Sequence, residues 1–209
     1  MAAYKDILPL MEHLFQQQDQ CKIYDPYYCD GAVKRNLESL GFPQVHNVKE
    51  DCYQMWSSGN VPELDALITN PPYSEDHIPK LVDFLSSPTM DSKPWFLCMP
   101  QFVSKKPYFV EKWDKKAFYI VPKKRYVYLP PKDFREKKDS DVHKKSSPFI
   151  SQWFIWGGSV EKTNMLYDYC NRNKEANDYE VARSKNGLRD LRRKSSKKAR
   201  IERKENYKR

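Results

Sequence analysis

Apolar residues recur at helical spacing between residues 4 and 18, where Ile7, Leu8, Leu10, Met11, Leu14 and Phe15 share one side, and predict an amphipathic first helix. The polar run Gln16–Gln20 ends it, and Cys21-Lys22-Ile23-Tyr24 reads as a short strand. A loop, Asp25-Pro26-Tyr27-Tyr28-Cys29-Asp30-Gly31, leads into a helix over Ala32–Leu40. Gly41 closes that helix, because glycine takes the left-handed C-cap conformation without a Cβ penalty. Val45–Val48 predicts a second strand, followed by the acidic segment Lys49–Tyr53 and a turn at Ser57–Asn60. The apolar run Ala66–Ile68 predicts a third, buried strand that stops at Asn70-Pro71-Pro72-Tyr73.

Beyond that stop, Ile78–Leu85 predicts a short amphipathic helix, Pro94–Pro100 and Ala117–Val121 buried strands, and Pro148–Gly158 the last strong strand. Residues 130–147 read as a lysine-rich mobile loop, and Asn164–Asn173 as a closing helix. This order of helices and strands predicts an α/β fold, a mostly parallel doubly wound sheet with an antiparallel end. In such sheets ligands bind beyond the carboxyl ends of the strands, where the loops after Tyr24 and Ile68 both fall.

The segment Asn70-Pro71-Pro72-Tyr73 carries the most specific chemistry. Two prolines fix φ and donate no hydrogen bond, and Asn70 before them is pushed out of the helical region. An amide, a carbonyl and an aromatic ring are thereby held at a strand end. The exocyclic amine of adenine or cytosine is a poor nucleophile, since its lone pair is delocalised. Acceptance of its hydrogens by the Asn70 side-chain oxygen and the Pro71 carbonyl orients the nitrogen for attack on a methyl group. Tyr73 offers a ring for stacking, worth about 1–3 kcal/mol per base.

Asn-Pro-Pro-Tyr resembles motif IV of the S-adenosylmethionine-dependent amino-methyltransferases, and the pattern is closest to the DNA-adenine-methyltransferase-like group. The loop at Asp25–Gly31 resembles motif I of the same family, Asp-Pro-Phe-x-Gly-x-Gly, with Tyr27 for phenylalanine and Cys29 where the first glycine stands. The resemblance covers residues 1–160 and implies a Rossmann-like class I methyltransferase domain with S-adenosyl-L-methionine as cofactor. It implies catalytic roles for Asn70, Pro71, Pro72 and Tyr73, and cofactor contacts from Asp25, Pro26, Tyr27 and Gly31. Glu50 and Asp51 are the acidic residues available after the second strand for the donor's ribose and adenine, with the two jobs unassigned between them.

Charge adds a partner. Residues 183–209 hold 13 Lys or Arg against 3 Asp or Glu, a net of +10, so with +9 for the whole 209-residue chain the remaining 182 residues sum to −1. That composition divides the chain into a nearly neutral domain over 1–175, methyltransferase-like by the resemblance above, and a basic tail over 176–209, disordered or ordered by a partner. Phosphate attraction by Arg192, Arg193, Lys194, Lys197, Lys198 and Arg200 points to nucleic acid, RNA favoured over DNA, with a ribonucleoprotein complex as a setting. Lys123, Lys124 and Arg125, interleaved with rings up to Tyr128, suit the same surface or an outward-facing edge strand. Basic tails also serve as localisation signals, which gives an intracellular and nuclear or nucleolar expectation.

Five cysteines without a CxxC pair and four scattered histidines predict a reduced protein with no metal site. No apolar run reaches the length of a membrane span. The leading functional expectation is N-methylation of an exocyclic amine, adenine N6 in RNA. A catalytically degenerate methyltransferase fold kept as an RNA-binding or assembly subunit is one alternative. A protein glutamine N-methyltransferase, a branch that also uses Asn-Pro-Pro-Tyr, is the other.

Overall fold

The structure, a computed structural model, describes residues 2–127 and 149–206. The expected loop over 130–147, together with Tyr128, Pro148 and residues 207–209, lies outside them. Along the chain run α1 (Ala2–Leu14), β1 (Ile23–Tyr24), α2 (Ala32–Glu38), β2 (Val45–His46), α3 (Cys52–Ser58) and β3 (Ala66–Thr69). There follow α4 (His77–Phe84), β4 (Trp95–Pro100), α5 (Pro107–Trp113), β5 (Phe118–Pro122) and β6 (Ser151–Trp156). The series closes with α6 (Val160–Asn173), β7 (Tyr179–Ala182) and α7 (Lys185–Asn206).

The seven strands form one mixed sheet in the order β2-β1-β3-β4-β6-β5-β7. β1 pairs in parallel with both β2 and β3, and β3 with β4, whereas β6 runs antiparallel to β4 and β5, and β7 antiparallel to β5. The protein is thus an α/β fold with a Rossmann-like, largely parallel core and an antiparallel end. From β1 the chain steps to one side to form β2, then crosses to the other side for β3. The order reverses between β1 and β3, and the crevice there is where doubly wound sheets hold ligands.

Strand periodicity divides the core. On β4, Phe96 and Cys98 point into a cluster built from α1, α2 and α6, with Ile7, Leu10, Leu37, Leu166 and Trp153. Trp95, Leu97 and Met99 point to the other face, against Leu81 of α4, Phe109 of α5 and Leu188 of α7. All six residues of β4 are buried, as expected of a strand covered on both faces.

The expected elements are found with shifted ends, and four features differ. Residues 52–58 form α3 rather than irregular chain, because the Asp51 side chain caps the helix by accepting from the Tyr53 and Gln54 backbone N–H groups. Residues 107–113, for which the sequence predicts no element, form α5 with Pro107 at its first turn. The sheet continues past residue 175 into β7, so a domain closing at 175 is too short. Residues 185–206, expected to be disordered or helical only when bound, form α7 here; Leu188 is buried and Leu191 packs against the same cluster.

Candidate functional site

Asp25 follows β1 and Asn70 follows β3, one on each side of the crevice. The link between them is a hydrogen bond from Thr69 Oγ1 to Asp25 Oδ1 at 2.6 Å. The same carboxylate oxygen accepts from the Tyr27 backbone N–H at 3.2 Å. Asn47, just past β2, donates its Nδ2 to Asp25 Oδ2 at 3.2 Å, to the Asp25 carbonyl at 3.2 Å and to the Tyr27 carbonyl at 3.1 Å. One buried aspartate therefore ties the ends of three adjacent parallel strands together. Burial of the whole side chain pushes its carboxyl up to about 7, against the opposing pull of the Thr69 and Tyr27 hydrogen bonds.

The motif-like loop keeps a glycine-like path. Cys29, Asp30 and Gly31 have φ of 34°, 62° and 64°, three consecutive residues in the left-handed region. Asp30 tolerates it as a short polar residue, Gly31 freely, and Cys29 at a cost. Room is not what requires glycine at 31, since an added Cβ there meets its nearest atom, Arg35 Nη1, at 3.5 Å. Cys29→Gly is expected to raise stability by about 0.5 kcal/mol, because relief of about 1–2 kcal/mol of left-handed strain exceeds the roughly 0.5–1 kcal/mol of chain entropy that glycine adds. Urea unfolding of the two proteins measures it. A stability loss would mean that Cys29 sits without strain.

At the other loop, Asn70 is half-buried, Pro71 buried and Pro72 exposed. Tyr73 turns its hydroxyl inward, donating to Asn70 Oδ1 at 2.6 Å, with the Cys98 carbonyl at 3.3 Å and the Ser151 hydroxyl at 3.2 Å. Its ring meets Phe149 edge-on, centroids 6.0 Å apart. The hydroxyl thus fixes the amide that the sequence singles out. Tyr73→Phe is expected to free the Asn70 side chain, read as a shift of its side-chain amide NMR resonances, and unchanged resonances would assign the hydroxyl no positioning role.

The remaining expected site residues are placed as follows. Pro26 and Tyr27 are buried, and the Tyr27 hydroxyl lies 3.4 Å from that of Tyr53 and donates to the His77 carbonyl at 3.3 Å. Tyr53 also hydrogen-bonds His77 Nδ1 and stacks on its ring, so an aromatic group spans from the β1 loop to α3 and α4. Glu50 pairs with His46 at 2.6 Å and Asp51 caps α3, so both follow β2 but are committed to local contacts. Lys123, Lys124 and Arg125 lie past the end of β5, not on an edge strand, and Lys124 pairs with Asp178 at 3.4 Å. Tyr126, in the same stretch, is buried with its hydroxyl on Asp6 at 2.5 Å. Arg193, Lys194, Lys197 and Arg200 are exposed along α7, Lys198 shares that helix, and Arg192 is half-buried.

Thr69 and Asn47 were not singled out by the sequence, although one precedes Asn70 and the other follows β2. Nor were Tyr53, His77 and the ring pair Phe102 and Phe149. Two features of the crevice bear on whether it could hold a ligand. The turn at 29–31 runs through the left-handed region, and Asn47 Oδ1 is a buried acceptor with no hydrogen-bond partner among the described residues. Among the described residues no cluster of three or more His, Cys, Asp or Glu is arranged to hold a metal ion, and no helix is long and apolar enough to cross a membrane. Comparison with protein-family models and with curated proteins finds no match.

Proposed function

We propose that this protein is an S-adenosyl-L-methionine-dependent N-methyltransferase of the class I type, acting on an exocyclic amino group of nucleic acid, adenine N6 in RNA first among them. The observation that carries the reading is the Thr69–Asp25 hydrogen bond at the β1/β3 crevice, which holds the Asp25–Gly31 loop beside Asn70-Pro71-Pro72-Tyr73. When bound, the donor supplies an activated methyl group. The turn at 28–31 and Asn47 Oδ1 are the groups that would hold it, with Asp25 bracing the loop from beneath. Asn70 Oδ1 and the Pro71 carbonyl would accept the two amine hydrogens and aim the nitrogen; positioning and fixed dipoles supply the rate. The charge of α7 attracts the phosphate backbone, and suits a nuclear or nucleolar ribonucleoprotein setting.

Incubation with labelled donor and total RNA, followed by digestion to nucleosides, tests the reading. Label in N6-methyladenosine is expected, and a folded protein that labels no base overturns it.

A binding or assembly subunit on the same fold is the second reading. It is favoured by the Tyr27, Tyr53 and His77 group across the crevice and by the Asn70 oxygen already engaged with Tyr73. Calorimetry with the donor separates the two: heat of binding supports the enzyme, and its absence supports the subunit.

A further inference from the structure

Where β4 ends, Gln101–Lys105 form a tight turn, and the Gln101 N–H donates to the Ile150 carbonyl at 2.9 Å just before β6. A cavity of about 350 Å³ opens there, lined by Gln101, Phe102, Lys105, Phe149, Ile150 and Arg192. It adjoins the reaction loop through a relay of rings, because Tyr73 meets Phe149 edge-on at 6.0 Å and Phe149 meets Phe102 edge-on at 5.5 Å. Phe102 is 37% exposed and Ile150 51%. Lys106 Nζ also stands 5.7 Å from the Phe102 ring centroid.

We propose that this cavity is a subsite for a nucleotide flanking the one whose amine meets Asn70, and that the substrate is single-stranded there. The inference rests on the function proposed above. Exposed rings with an amide and two cations match one nucleotide: the base stacks on Phe102 and Ile150, Gln101 faces its edge, and Lys105 and Arg192 take its phosphates. Stacking of this kind needs a base already out of a duplex. α7 brings Arg192 to the cavity and then runs on with Arg193, Lys194, Lys197 and Arg200 exposed, a track for the following phosphates. An acidic peptide would satisfy the cations and leave Phe102 and Ile150 uncovered, so RNA is the better complement.

Fluorescence anisotropy of a short single-stranded RNA on the full chain tests the subsite, with a duplex of the same sequence and oligoglutamate as competitors. Phe102→Ala is expected to weaken binding on the order of tenfold, the loss of one base–aromatic stack, and Phe102→Tyr to retain it. Lys105→Gln with Arg192→Gln is expected to flatten the dependence of log K on log salt by about 1.4, about 0.7 for each single-strand phosphate that is no longer neutralised. Unchanged binding in Phe102→Ala, equal binding of the duplex, or equal displacement by oligoglutamate overturns the proposal. Methyl transfer measured on the same samples separates the two readings. RNA methylated with unaltered affinity in Phe102→Ala removes the subsite and leaves the enzyme; the expected binding losses with no transfer by the wild type keep the subsite and remove the enzyme.

Discussion

Asn70→Ala is expected to lower turnover on the order of 100-fold while leaving the fold intact, the loss that follows removal of one hydrogen bond made in the transition state. The side chain is half-buried at the end of β3, and its hydrogen bond from Tyr73 is local. Tyr73 retains the Cys98 carbonyl and the Ser151 hydroxyl as neighbours when Asn70 is truncated, so little buried polarity is orphaned. Single-turnover transfer to RNA, with thermal unfolding of the same variant, measures both quantities. Parallel loss of stability and turnover would make Asn70 a structural residue.

The double proline explains why the end of β3 was legible. An apolar strand that stops at two residues without backbone N–H groups has few other conformations open to it, and β3 ends at Thr69 as that stop requires. Long apolar stretches such as Trp95–Pro100 were equally plain. What escaped were elements held by contacts distant in sequence. β7, Tyr-Glu-Val-Ala among charged neighbours, becomes a strand because β5 offers its unpaired edge. α7 has only Leu188 and Leu191 to bury among the residues of its first turns, and its many charges read as disorder until those two leucines meet the core. α3 was hidden for a different reason, its start being set by the Asp51 cap rather than by an apolar stripe.

The candidate site divides in the same way. Each loop could be picked out by its own residues, but the bond joining them spans Thr69 and Asp25, 44 positions apart. Glu50 and Asp51 looked alike as acidic residues after a strand. Only their partners separate them, one on His46 and one on a helix terminus. Tyr73 offered a ring in the sequence, and the structure shows that its hydroxyl is at least as engaged as its face.

Asp25→Ala is expected to destabilise the fold by about 3 kcal/mol, since the Thr69 hydroxyl and the Tyr27 N–H lose their acceptor inside the protein and each unsatisfied donor costs about 1–3 kcal/mol. Asn47 Nδ2 keeps two carbonyls, and release from burying a carboxylate offsets part of the loss. Asp25→Asn is expected to be milder. Its amide nitrogen replaces the oxygen that accepts from Asn47 Nδ2, so that one contact is lost, while the retained amide oxygen still accepts from Thr69 and the Tyr27 N–H. The two proteins also differ in pH dependence. The folded carboxyl titrates near 7 and the unfolded one near its ordinary 3.8, so between those values the folded state holds a proton that the unfolded state has lost. This contribution is fully present below about pH 4, declines as pH rises by at most about 1.4 kcal/mol per pH unit, and is gone above about 7. Urea unfolding at pH 5 and pH 8 should therefore show wild type losing stability relative to Asp25→Asn at the higher pH. An equal difference at both would place the folded carboxyl in its ordinary range. Because both loops hang on this residue, Asp25→Ala should lose turnover and stability together, whereas Asn70→Ala loses turnover alone.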